Sequence, residues 1–258
     1  MTRFEVLILG NSSATPMYGR HPTSQILNFN EQLFLIDCGE GTQMQLFRYG
    51  IKSSRINHIF ISHLHGDHYL GLIGLLSSQH LVGRQSELHL YGSPALKEIL
   101  DLQFKHADTR LRYPLVFHPT NACQQEVIFE NTHLRVHSFP LRHRIPCTGF
   151  RFDEKWKENR SYAYCSDTVM SEDYLDAIRN VGLLYHEATF LHDRIARAKE
   201  TFHTTSLEAA QVAQTVGAKK LLLGHFSARY RDLQPLLDES RTIFPHTELS
   251  EEGKWFLV

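Results

Sequence analysis

The chain reads as one mixed α/β domain. The observations behind this are its length and balance, a recurrence of short apolar runs, and helical patterns set between them. With 258 residues, 42% hydrophobic and 21% charged, it can bury one sizeable core, and its composition is that of neither a disordered, a fibrous nor a membrane-spanning chain. No linker, repeat or low-complexity tract interrupts it, so residues 1–258 are taken as a single domain.

Strands are expected where Val, Ile, Leu and Phe cluster between turn residues: Phe4 to Leu9, Gln25 to Phe29, Leu33 to Ile36, His58 to Ser62, Glu87 to Tyr91, Val127 to Glu130 and Leu134 to Phe139. Ser161 to Cys165, Leu183 to Tyr185 and Lys220 to Leu223 follow, about ten or more in all. Helices are expected at Thr42 to Tyr49, ahead of Gly50, and at Tyr69 to Val82, where Leu70, Ile73, Leu76 and Leu81 recur at helical spacing. Pro94 after Ser93 marks a helix start, and Ser171 caps a helix holding Tyr174, Leu175 and Ile178. Thr205 with Glu208 forms a capping box for a helix ending before Gly217, and the charged stretch Asp153 to Arg160 reads as an exposed turn.

Lys+Arg 27 against Asp+Glu 28 leaves a formal net charge of -1, so any nucleic-acid binding must come from a local patch rather than a global basic field. Cys38, Cys123, Cys147 and Cys165 lie far apart without a C-x-x-C pair, which argues against a cysteine zinc knuckle and a disulfide framework. The first residues lack a signal peptide's apolar stretch, and the most apolar segment, Tyr69 to Leu76, is far short of a span. A cytoplasmic protein without membrane partners is the expectation.

Histidine is the outlier at 17 residues. Neutral imidazole is the commonest metal ligand, so position decides what the excess means. The segment His63-Leu64-His65-Gly66-Asp67-His68 packs three imidazoles and a carboxylate behind the apolar run His58 to Ser62. A lone histidine is usually a satisfied core or surface residue, but four such groups in one loop repel on protonation and serve no packing purpose. Metal binding accounts for them. Asp37, His143, Asp167 and His225 each follow another expected strand; an aspartate there is ordinarily a turn residue or cap, yet the repeated placement points to one shared strand-end edge. One four- or five-coordinate ion cannot use His63, His65, Asp67, His68, His143, Asp167 and His225 together, whereas two ions sharing a carboxylate can. Nitrogen and oxygen donors without thiolate suit two Zn²⁺ first, with Mn²⁺ compatible.

These residues resemble a known family. His63 to His68 is similar to the H-x-H-x-D-H signature of the metallo-β-lactamase superfamily. Six words, the one holding that signature among them, resemble its ribonuclease Z branch, the tRNA 3′-processing endonucleases, and they run in that branch's order along nearly the whole chain: Leu35 to Gln43, Ser62 to His68, His143 with Pro146 to Phe150, Ser166-Asp167-Thr168, His186-Glu187-Ala188-Thr189 and Gly224 to Tyr230. The resemblance implies a four-layer αββα sandwich with a dinuclear site at the strand-end edge and two pseudo-equivalent halves meeting near residues 120–130. It implies His63, His65 and His143 on one metal, Asp67, His68 and His225 on the other, Asp167 bridging, and Asp37 orienting the site by hydrogen bonding. It casts Asp67 as proton acceptor for the attacking water, and Glu187 as the carboxylate orienting His203, which protonates the leaving oxygen; His203-Thr204-Thr205 replaces the family's usual His-Ser-Thr. Precursor tRNA as substrate and a homodimer follow from the same resemblance.

The chain departs from that pattern in two places. Only Arg151 to Arg160 separates Phe150 from the Ser161 strand, where many members insert a long tRNA-gripping arm, and Pro16 to His21 matches the family's P-x-K-x-R-N loop loosely. Arg20, His21, Arg142, Arg144, Arg229, Tyr230 and Arg231 flank the ligand loops and supply a local rim for phosphates. The alternatives are a phosphodiesterase of the same superfamily acting on small diesters and a non-catalytic RNA-binding subunit; retention of all seven ligands argues against the latter.

Overall fold

The computed structural model describes residues 3–17, 19–155 and 160–258. The chain divides into two compact units, Met1–Thr120 with Glu252–Leu257, and Asn121–Glu251 with Val258. Two expected segments fall partly outside the described residues: the Pro16 to His21 loop at Tyr18, and the Asp153 to Arg160 turn at 156–159.

The first unit is built on β1 (Phe4–Gly10), β2 (Ser24–Phe29), β3 (Gln32–Cys38), β4 (Ile56–Phe60), β5 (Leu88–Gly92) and β6 (Leu115–Pro119), with β14 (Trp255–Leu257) added at its edge. The sheet order is β14-β1-β2-β3-β4-β5-β6. Pairing is antiparallel from β14 to β3 and parallel from β3 to β6. Helices α1 (Thr42–Arg48), α2 (Gly66–Tyr69), α3 (Leu72–Leu81) and α4 (Pro94–His106) fall between the strands. One face of the sheet, through Leu7, Leu9, Leu35, Ile59 and Leu90, packs with Leu46, Leu72, Leu75, Leu76, Leu96 and Leu100. The alternate residues Val6, Ile8, Phe34 and Phe60 are buried too, which is why these strands read as continuous apolar runs rather than alternating ones.

The second unit contains β7 (Glu126–Glu130), β8 (Leu134–Leu141), β9 (Cys147–Glu154), β10 (Ser161–Cys165), β11 (Leu183–Glu187), β12 (Lys220–Gly224) and β13 (Thr247–Leu249), with helices α5 (Ile195–Thr201), α6 (Ser206–Thr215) and α7 (Gln234–Arg241). Strand neighbours follow chain order from β7 to β13, antiparallel as far as β10 and parallel beyond it. The pattern of the first sheet thus recurs. Phe139, Ala163, Leu184, Leu221 and Leu223 meet Ala209, Ala210, Val212, Ala213 and Leu236 in the core, the small residues of α6 letting that helix lie close to the strands. The Thr205/Glu208 capping box is formed as expected, with both reciprocal hydrogen bonds.

Several expected elements need correction. The helix read at Tyr69 to Val82 is two, α2 and α3, separated by Leu70 and Gly71. Gly71 donates its N–H to Cys38 O at 2.9 Å, and a Cβ there would sit 2.2 Å from Gly39 O, so this close approach to the end of β3 breaks the helix at a residue only glycine can supply. Ser171 does accept the Asp173 N–H at 3.3 Å, but its segment forms two 3₁₀ turns, Glu172–Tyr174 and Asp176–Ile178; buried Tyr174 and Ile178 pin this short crossover before the chain turns away at Arg179. β6, β9, β13, β14, α5 and α7 add to the expected set. No helix of the described residues is long and apolar enough to cross a membrane, and all four cysteines are free thiols.

Candidate active site

In the first unit the chemistry sits where β3 and β4 end. Asp37, fully buried, is the penultimate residue of β3 and adopts a left-handed backbone with φ 55. Such a conformation costs a non-glycine residue of order 1–3 kcal/mol and persists where the surroundings over-determine it. Here they do. The carboxylate accepts the Ser62 N–H at 2.7 Å on Oδ1, and the Ser62 hydroxyl at 2.8 Å and His68 Nδ1 at 2.7 Å on Oδ2.

This fixes tautomers. A carboxylate accepts only, so His68 carries its proton on Nδ1 and presents Nε2 as a donor atom to a metal. Ser62 Oγ gives its proton to Asp37 and therefore accepts from His63 Nδ1 at 3.0 Å, so His63 likewise presents Nε2, which lies 3.1 Å from His65 Nδ1. His68 Nε2 stands 3.5 Å from Asp67 Oδ2. Asp37, His63, His65, Asp67 and His68 thus form one connected cluster inside the first unit.

The second unit assembles its site from separate strand ends. Asp167 follows β10, Glu187 closes β11, His225 follows β12 directly, and His143 lies two residues beyond β8. The same outward-Nδ1, inward-Nε2 pattern recurs. His143 donates through Nδ1 to Phe202 O at 3.0 Å, with Nε2 3.8 Å from Asp167 Oδ2. His225 donates through Nδ1 to Thr189 Oγ1 at 3.0 Å, with Nε2 3.1 Å from Asp167 Oδ1. Burial pulls the His143 imidazole below its ordinary pKa despite Asp167 nearby, which favours the neutral form that metal ligation would require.

Glu187 is the hub. Its fully buried carboxylate accepts Thr168 N–H at 2.7 Å, Thr204 N–H at 3.1 Å, the Thr189 hydroxyl at 2.6 Å and His203 Nδ1 at 3.0 and 3.1 Å. Burial alone would raise its pKa; the charge and hydrogen bond of His203 outweigh this and hold it below the usual carboxylate range. His203 differs from the other imidazoles. Its side chain is 14% exposed where His143 and His225 are 1%, and its Nδ1 is taken up by Glu187, so Nε2 is the nitrogen able to exchange a proton with something outside. Asp167, His203 and His225 each bring a donor atom within 4.8 Å of the others, which makes ligation by His203 the rival reading; the nitrogen it turns toward Asp167, Nδ1 at 3.9 Å, is the one Glu187 already holds, which argues against it.

His186, in the same word as Glu187, has a structural role. It donates through Nδ1 to Glu187 O at 2.8 Å and accepts the buried Tyr174 hydroxyl on Nε2 at 3.0 Å. The residues that sequence reasoning passed over are the hydroxyls and amides holding these groups: Ser62, Thr168, Thr189 and Thr204. A hydroxyl residue one to three positions from an expected ligand was the available signal. Of the expected cationic rim, Arg229 lies over the Phe190 ring at 5.1 Å, and Arg20 directs Nη2 at Met17 Sδ at 2.7 Å.

Residues 4–244 match the family described as Anti-Pycsar protein Apyc1. The chain is 41% identical over 299 aligned residues to a ribonuclease Z from Bacteroides fragilis (strain YCH46), covering 98% of each. That alignment is longer than the 258-residue chain, so the relative carries segments with no counterpart here. Among solved structures, human tRNase Z, short form, superposes with a TM-score of 0.85 at 32% identity, covering 98% of both chains. The metallo-β-lactamase fold protein YhfI from Bacillus subtilis gives 0.82 at 22% identity over the same share, which shows a common fold.

Proposed function

We infer, from a chain that belongs to the ribonuclease Z family and matches over residues 4–244 the family described as Anti-Pycsar protein Apyc1, a metal-dependent endoribonuclease of tRNA 3′ processing. We propose that it cuts precursor tRNA to leave a 3′ hydroxyl on the tRNA and a 5′ phosphate on the trailer. We take residues 1–258 as one catalytic domain, a cytoplasmic homodimer, that uses two Zn²⁺ per subunit, with Mn²⁺ compatible. His63, His65 and His143 would hold one ion, Asp67, His68 and His225 the other, and Asp167 both. The donor set fits such ions: oxygen and nitrogen atoms only, with His63, His68, His143 and His225 each anchored through Nδ1 and offering Nε2.

When bound, the ions supply Lewis acidity and lower the pKa of water into the neutral range. Asp67 takes the proton released by the attacking water. His203, steered by Glu187, delivers a proton from Nε2 to the departing 3′ oxygen. Asp37 and Thr189 hold His68 and His225 in the tautomers ligation requires. The observation that carries this reading is the His203–Glu187 pair beside Asp167, because the seven-residue donor set is complete without His203, whose side chain is partly exposed and whose Nδ1 Glu187 holds.

A second reading, hydrolysis of small phosphodiesters, is favoured by the segments the relatives have and this chain lacks. One experiment separates the two: incubation of a 3′-extended precursor tRNA, with and without chelator, and mapping of the product end. Cleavage to a 3′-hydroxyl tRNA that chelator abolishes and Zn²⁺ restores is expected. Turnover of bis-p-nitrophenyl phosphate with an untouched precursor tRNA would transfer the assignment to the second reading.

A further inference from the structure

The carboxylate of Asp67 has a partner from a distant stretch of sequence. The N–H of Ala14 donates to Asp67 Oδ2 at 2.7 Å, from a residue in the left-handed region with φ 61. Ala14 lies in the loop between β1 and β2, which is folded on itself by Ser12 N to His21 O at 2.9 Å, Ser12 Oγ to Thr15 O at 3.0 Å, and paired Met17 and Arg20 backbones. The loop's far end, at His21 and Pro22, is tied down from elsewhere.

Glu252, just before β14, accepts the His21 N–H at 2.6 Å on Oε1 and engages His21 Nδ1 at 2.8 Å through Oε2. The same Oε2 accepts Gln45 Nε2 at 2.8 Å, and Gln45, buried on α1, also reaches Leu9 O at 2.8 Å. The Glu252 side chain is 9% exposed, a part-buried carboxylate whose hydrogen bonds run to one loop and one helix. Close packing transmits the tie: a Cβ on Gly39 would stand 2.3 Å from Asp67 O and 2.7 Å from Pro22 Cβ.

We propose that Glu252 is a positioning residue, clamping the β1–β2 loop through His21 so that the Ala14 amide fixes the orientation of the Asp67 carboxylate. The physical basis is that a carboxylate gripped on one oxygen by a backbone N–H keeps its other oxygen in a set direction, and groups that orient a ligand or base in this way are worth about 10- to 100-fold in metal affinity or activity. The inference rests on the assignment of Asp67 made above, and it adds a residue some 185 positions further along the chain to that machinery.

The test compares wild type, Glu252→Ala and Glu252→Gln, full-length and zinc-loaded, by three readouts: amide hydrogen exchange of residues 11–22, kcat and KM on a 3′-extended precursor tRNA and on bis-p-nitrophenyl phosphate, and zinc content with thermal midpoint. Glu252→Ala is expected to speed exchange of that loop at least about tenfold and to lower kcat by about 10- to 100-fold. KM is expected to stay within about threefold, with zinc content and thermal midpoint held. Glu252→Gln, whose carbonyl still accepts the His21 N–H, is expected to fall between the two. Loosening of the loop with kcat unchanged on both substrates overturns the proposal, as does unchanged exchange, or unfolding of both variants, which would assign Glu252 to stability alone. A wild type that hydrolyses only the small ester sinks the tRNA assignment while the exchange and small-ester comparisons still judge the clamp.

Discussion

The first unit draws its histidines and Asp67 from six consecutive residues, whereas the second collects His143, Asp167 and His225 from three separate strand ends and His203 from the connection between α5 and α6. Their sheets repeat one pattern, antiparallel strands followed by a parallel run, and each hangs its site on one buried carboxylate, Asp37 in one case and Glu187 in the other. Asp37 serves a loop already held in register by the chain. Glu187 serves groups that nothing but folding brings together, and it takes hydrogen bonds from Thr168, Thr189, His203 and Thr204 to do so. A contiguous site tolerates loss of one support; a dispersed one depends on its hub.

The largest effect tests the premise common to both units. Asp67→Ala is expected to abolish cleavage, measured as product from precursor tRNA with zinc content determined alongside; full activity in a zinc-loaded variant would remove Asp67 from the chemistry. Next comes His203→Ala, expected to slow turnover by about 10² to 10⁴ with the metal retained. Zinc lost in proportion to activity would make His203 a ligand and favour the rival reading of the second unit.

Thr189→Val and Ser62→Ala break the contrast directly, since each deletes the hydroxyl between a buried carboxylate and a histidine. We expect Thr189→Val to cost about 10- to 100-fold in activity or metal affinity and Ser62→Ala less, because the Ser62 backbone N–H still reaches Asp37. Equal losses would refute the idea that the dispersed site leans harder on its hub. The smallest effect concerns the edge strand β7. Arg135 and Lys155 hold the exposed Glu130 carboxyl down to about 2, so its stabilising contribution is present above about pH 4.5, the ordinary value for the unfolded chain, and is lost as pH falls through 2. The difference in thermal midpoint between wild type and Glu130→Gln should be slight at pH 7, smaller in high salt and absent near pH 2.

What could be read beforehand follows the same division. Strands whose alternate residues are both buried, such as β1 and β12, announce themselves as apolar runs, and the six-residue word after β4 announces a metal. β9 mixes Gly149, Arg151, Asp153 and Glu154 among its buried aromatics and dilutes the run; β13 and β14 are three residues long and take their meaning only from the neighbour they join. The candidate ligands of the second unit were legible through family resemblance more than through local chemistry, because a single aspartate after a strand is ordinarily a turn. The hydroxyls of Thr189 and Ser62 were invisible as functional groups, since their worth lies in the second hydrogen bond each makes.

The placement of β14 has a consequence for biosynthesis. It pairs with β1 at Leu7 and Trp255, so this edge strand of the first unit and its Glu252 are translated only after Asn121–Glu251 of the second unit. During elongation the nascent amino-terminal half therefore waits with an open sheet edge and an untethered loop until the last strands of the chain are made.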